Sequence, residues 1–109
     1  MSVDLVFDAD CPNVDAARDQ LKAAFAQLGI EPAWRELVND DDMPEYARGY
    51  GSPTVLVDQR DVAGATPSDG SSCCRVYRDA NGVLVGVPTI DDLVVALRAA
   101  TEKGQPCVD

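Results

Sequence analysis

Apolar and polar positions along this chain follow two periods. VDLVF at 3–7 is a short, almost unbroken apolar run with β-branched residues, the pattern of a buried strand. Over residues 12–28 the spacing lengthens. Val14, Ala17, Leu21, Ala24, Phe25 and Leu28 recur at steps of three and four, which is one face of an amphipathic helix. Pro12 suits a first helical position and Gly29 a helix end. AWRELV at 33–38 predicts a second strand, and NDDDMPEYARGYG a loop with one helical turn. TVLVD at 54–58 predicts a third strand, introduced by Ser52-Pro53, with DVAGA at 61–65 returning beside it across a turn at Gln59 and Arg60. After a Gly, Pro, Ser and Asp loop, CCRVYRDANGVLVG reads as two short strands about an Asn81-Gly82 turn. TIDDLVVALRAATEKG at 89–104 completes the pattern as an amphipathic helix with Thr89 as its N-cap.

The order is β-α-β, a hairpin-like unit, then α. That order predicts an α/β fold whose first crossover joins parallel strands in the right-handed sense. The 109 residues suit one domain over 1–104, followed by a loose tail at 105–109. No internal repeat is present.

Charge narrows the function classes. Asp and Glu number 19 against 9 Lys and Arg, for a formal charge of −10. Such a chain repels phosphate backbones and anionic lipid, so neither nucleic acid nor membrane is an expected partner. Its first residues, MSVDLVFDAD, have no basic region ahead of an apolar stretch, and no segment has the length of a membrane span. The expected compartment is the cytoplasm, where clustered thiols stay reduced and tend to bind metals or catalyse. The chain contains no histidine, so imidazole chemistry is excluded. Thiols and carboxylates must supply any reactivity.

There are four cysteines. Cys73 and Cys74 are adjacent, and their Cα atoms, about 3.8 Å apart across a trans peptide, are too close for an ordinary disulfide. On a strand they would face opposite sides. Cys11 lies at the junction of the first strand and the first helix. If Pro12 opens the helix, Cys11 is its N-cap, where backbone N–H groups favour a thiolate and Asp8, Asp10 and Asp15 oppose one. The alternative is a buried cysteine acting as a small hydrophobe. Cys107, in the tail, is either a mobile third thiol or a bystander. No C-x₂-C pair is present to suggest structural zinc, and residues 39–42 lack the spacing of a calcium loop. Trp34, Tyr46 and Tyr50 read as packing residues, with Tyr50 near Pro53.

A strand, then Cys11-Pro12 at a helix start, then Ser52-Pro53-Thr54 before another strand, resembles the thioredoxin/glutaredoxin superfamily. The resemblance runs from about Val3 to Ala100. It implies a thioredoxin-like fold, a small mixed sheet flanked by helices, with Pro53 cis and packed against a nucleophilic Cys11. The family's second cysteine, three residues after the first, is replaced here by Val14. Dithiol exchange within that loop is therefore excluded, leaving monothiol chemistry or a thiol from elsewhere.

The segment SSCCRVYRD, followed downstream by VPTIDDLVVAL, is similar to the C-terminal part of organomercurial (alkylmercury) lyases. In that family the first cysteine of a pair works with a distant cysteine to capture the organic mercury, and an aspartate helps to protonate the leaving carbanion. The resemblance implies Cys73 and Cys11 as the two thiolates. Asp15 stands one residue beyond the position of the family's aspartate, about 100° further round a helix. The expected function is capture or transfer of a soft electrophile, mercury or an organomercurial, by Cys11 and Cys73, with Cys74 as a further candidate metal ligand. No cofactor is required beyond the soft metal as ligand or substrate. The expected partners are a thiol-reactive small ligand or metal and a redox protein. Two other readings compete: a monothiol oxidoreductase using Cys11, and a non-catalytic adaptor of the same fold.

Overall fold

The VDLVF run becomes the central strand of the structure, a computed structural model that describes residues 2–38, 43–48, 50–64, 77–79 and 81–104. This strand, β1 (Val3–Phe7), pairs in parallel with β2 (Arg35–Val38), with Leu5 opposite Glu36. On its other side it pairs antiparallel with β3 (Thr54–Val57), with Leu5 opposite Val55. A fourth strand, β4 (Arg60–Asp61), continues the sheet in the order β2-β1-β3-β4. The mixed sheet with its parallel first crossover is the arrangement the sequence predicted.

Strand alternation gives the sheet two different faces. Val3, Leu5, Val55 and Val57 project to one side, where α1 (Val14–Leu28) and α2 (Ile90–Gly104) cover them. The buried residues of α1 are Val14, Ala17, Leu21, Ala24 and Phe25, nearly the whole stripe read from the sequence. Leu93, Val94, Leu97 and Ala100 supply the facing stripe of α2. Each fully buried Leu or Phe contributes about 1.5–3 kcal/mol through removal of apolar surface from water. Trp34, as expected, is a packing residue: its ring stacks on Phe25 with centroids 6.2 Å apart.

The opposite face is smaller and partly polar. Val6 and Leu56 pack there against Met43, Ala47 and Tyr50, from a segment containing one 3₁₀ turn, Glu45–Ala47. Asp4 is also on this side and is fully buried. Its two carboxylate oxygens are used separately: Arg35 Nε donates to Oδ1 at 2.9 Å and the Tyr46 hydroxyl to Oδ2 at 2.7 Å. A charge without water is tolerable only when it is bonded in this way. Tyr46 is thus a polar tie as well as a packing residue.

The helix ends follow their capping residues. Gly29 adopts a left-handed conformation (φ 69°), and its amide and that of Ile30 close onto Ala26 and Phe25. Thr89 caps α2 as predicted, its Oγ1 accepting from the Asp92 amide at 3.2 Å. Asp91 and Asp92 then lie in the first turn, where negative charge suits the helix dipole. A separate two-stranded sheet, β5 (Tyr77–Arg78) and β6 (Leu84–Val85), precedes α2. Asp79 shapes its turn by accepting the amides of Asn81 and Val83, both at 2.9 Å.

Two boundaries differ from the sequence reading. The tight turn lies at Asp58 and Gln59, both with positive φ (51° and 68°), and β4 therefore begins at Arg60. A two-residue loop with both φ values positive matches the twist of the flanking strands. After Val62 donates to the Val55 carbonyl the chain turns off, with Gly64 N donating to Asp61 O. The returning segment thus stops short of the level of Pro53. The second difference is at α1, which starts at Val14 with Asn13 as its cap, so Cys11 is not the N-cap.

Candidate functional site at the end of β1

Cys11 occupies a turn of its own between β1 and α1. Its amide donates to the Asp8 carbonyl at 3.0 Å, closing residues 8–11 into a turn. Pro12 and Asn13 make a further turn before the helix, whose first long bond runs from the Ala17 amide to the Asn13 carbonyl at 3.0 Å. Proline's fixed φ suits a turn as readily as a first helical position, which is why the helix opens later than its sequence suggests. The Cys11 side chain is half-buried, packed against the helix-covered core, and is a free thiol.

The same turn is bound to the start of β3. Asp8 N donates to Ser52 Oγ at 2.9 Å, and Ser52 is buried. Its bond to Pro53 is cis, as the resemblance leads one to expect. Thr54 Oγ1 then donates back to the Gly51 carbonyl at 2.7 Å, fixing the approach to the strand. Cys11 and the Ser52-Pro53 turn therefore occupy the same end of the sheet, joined through Asp8.

Tyr77 borders this region from β5. Its ring is buried, and its hydroxyl donates to the Pro53 carbonyl. The backbone of Gly86, just beyond β6, lies against Asn13: a Cβ there would sit 2.5 Å from Asn13 Nδ2. Only glycine fits without displacement. Asn13, the cap residue of α1, makes no side-chain capping bond. These contacts were not legible beforehand. Tyr77 lies 24 residues from Pro53 in sequence, and its place in a short strand gave no sign of that partner.

Asp15 is held elsewhere. Arg18 Nη1 pairs with its Oδ1 at 2.7 Å, and the Asp15 side chain is 91% exposed. The same guanidinium grips Glu36 on β2 through two bonds of 2.8 Å and covers the Phe7 ring, 5.6 Å from its centroid. The bonds to Glu36 and then Asp15 raise the Arg18 pKa further, and Arg18 in turn holds the Glu36 carboxyl below its usual range. Val14, where the thioredoxin pattern has its second cysteine, is buried in the core.

Cys73, Cys74 and Cys107, the candidate second and third thiols, and the tail at 105–109 lie outside the described residues, as do residues 39–42. Among the described residues no group of three or more Cys, Asp or Glu is arranged to hold a metal. No helix among them is long and apolar enough to cross a membrane. Comparison with protein-family models, curated proteins and solved structures finds no match for this chain. Chemically, the site offers a half-exposed thiol at a sheet end, in a turn tied through Asp8 to a buried serine–proline turn.

Proposed function

We propose that the chain is a thioredoxin-fold thiol protein that captures or passes on a soft electrophile, mercury or an organomercurial, through Cys11 and Cys73. The observation that carries this reading is the placement of Cys11: it leaves the central strand in a turn tied through Asp8 to Ser52, next to Pro53. The strand order β2-β1-β3-β4, parallel on one side and antiparallel on the other, and the two helices on one face agree with a thioredoxin-like fold. Tyr77, four residues after Cys73, is bonded to Pro53, which supports the supply of a second thiol from that segment.

Capture in this scheme is ligand exchange. The Cys11 sulfur forms a bond to mercury, the thiolate or halide that arrived on the metal leaves, and the thiol proton passes to solvent or to that leaving ligand. On a mercuric ion a second exchange at Cys73 releases the other ligand in the same way and gives a dithiolate. On an organomercurial Cys73 instead adds as a further ligand beside the carbon. Neither step changes an oxidation state. Carbon–mercury cleavage would further require a proton on the leaving carbanion; for Asp15 to deliver it, the side chain would have to leave its pair with Arg18 and take up a proton from solvent first. Calorimetric titration tests the reading: phenylmercuric acetate should bind the reduced protein more tightly than it binds glutathione, and Cys11→Ser should abolish that advantage. Equal affinity in protein and glutathione would refute it.

One observation favours a second reading. With Val14 buried where a resolving cysteine would stand, Cys11 suits monothiol exchange, forming a mixed disulfide with glutathione disulfide and releasing one glutathione. Rapid, stoichiometric glutathionylation at Cys11, without a mercury preference, would support it over the first.

A further inference from the structure

The Pro53 carbonyl, just ahead of β3, is bonded from outside the four-stranded sheet. After Val62 donates to Val55, the chain turns away at residues 61–64. The Tyr77 hydroxyl, from a hairpin that belongs to a different sheet, donates to Pro53. Pro53 adjoins the serine that holds Asp8.

We propose that Tyr77 is a positioning residue for the Cys11 site: by occupying the Pro53 carbonyl it holds the Ser52-Pro53 turn against the turn of residues 8–11. The path is short and continuous. Tyr77 holds Pro53; Ser52, bonded to Pro53, accepts the Asp8 amide; the Asp8 carbonyl accepts the Cys11 amide. Because the outermost link comes from the β5–β6 hairpin, displacement of that hairpin releases the turn on which Cys11 sits. Gly86 adds a second contact of the same kind, placing the hairpin's outgoing chain against Asn13 at the start of α1. The significance for thiol chemistry rests on the function proposed above, whereas the coupling itself does not.

Amide hydrogen exchange and thiol alkylation of the reduced 109-residue chain test the inference together. In Tyr77→Phe, the Asp8 amide should exchange about fivefold to tenfold faster relative to the Val55 and Leu56 amides, the loss expected for one interior hydrogen bond. The pH profile of Cys11 alkylation, read by peptide mass spectrometry, should shift in the same variant. Uniform acceleration of every core amide with an unchanged pH profile would overturn the inference, because a merely stabilising tyrosine does just that. The wild-type chain gives a test that needs no substitution. Under increasing urea, the Asp8 amide should share its opening transition with the Asp79 amide of the hairpin, and separate transitions would overturn the coupling. If wild-type Cys11 alkylates no faster than in the urea-unfolded chain, the thiol function fails, while the two amide experiments still decide the coupling.

Discussion

The amide of Asp8 donates to the hydroxyl of Ser52 at 2.9 Å across 44 residues of sequence, and this bond unites the two halves of the candidate site. On one side of it lies the turn that carries Cys11, on the other the proline turn that opens β3. Serine at 52 is small enough to be buried there and still offers an acceptor. Ser52→Ala should leave the Asp8 amide without that partner at a cost of about 1–3 kcal/mol. For a domain of this size that is a fall in Tm of about 4 °C or more, measurable by calorimetry. An unchanged Tm would mean that water replaces the hydroxyl without loss.

Cys11 should be the first thiol modified by iodoacetamide at neutral pH. It is half-exposed, in a turn that lies two residues ahead of the cap position of α1. Timed labelling with peptide mapping decides the order. Preferential modification of Cys74 would contradict it.

The Asp4 cluster sets a second expectation. Tyr46→Phe keeps the ring but removes the donor to a fully buried carboxylate oxygen, which should cost about 1–3 kcal/mol. Burial, and then the bond to Asp4, raise the Tyr46 pKa above its ordinary value. A raised folded-state value means that the tyrosine's contribution is intact below the unfolded pKa of about 10 and is lost as pH rises through the folded value. The stability gap between wild type and Tyr46→Phe should therefore narrow in alkali above about pH 10. A gap independent of pH would count against the assignment.

Glu36 gives the opposite sign. Arg18 holds its carboxyl below the usual range, so the contribution is present above the unfolded pKa of about 4.3 and disappears as pH falls through the lower folded value. Glu36→Gln should lower Tm by a few degrees at most at neutral pH, since the pair is partly exposed. The difference should vanish in acid and shrink in high salt. Persistence of the full difference at low pH would show that packing, not charge, is responsible.

Much of the fold was legible because the apolar period changes cleanly along the chain. VDLVF has no helical spacing, and the stripe from Val14 to Phe25 has no strand alternation, so β1 and α1 emerge with few alternatives. The turn at Asp58 and Gln59 was displaced by one residue because neither is glycine, the usual signal for positive φ. The helix start was misplaced because Pro12 fits both a turn and a first helical turn. The site was legible only at Cys11, Ser52 and Pro53, which carry local sequence signals. Tyr77 and Gly86 join it through contacts that span most of the chain, and no local period reports those.

The central claim, that Cys11 and Cys73 together hold a soft electrophile, is tested most directly by native mass spectrometry. The reduced chain and its four single Cys→Ser variants are mixed with mercuric or phenylmercuric salt and then challenged with excess glutathione. The account predicts that wild type, Cys74→Ser and Cys107→Ser each retain one mercury per chain, whereas Cys11→Ser and Cys73→Ser lose it to the competitor. Retention of mercury by Cys11→Ser would contradict it.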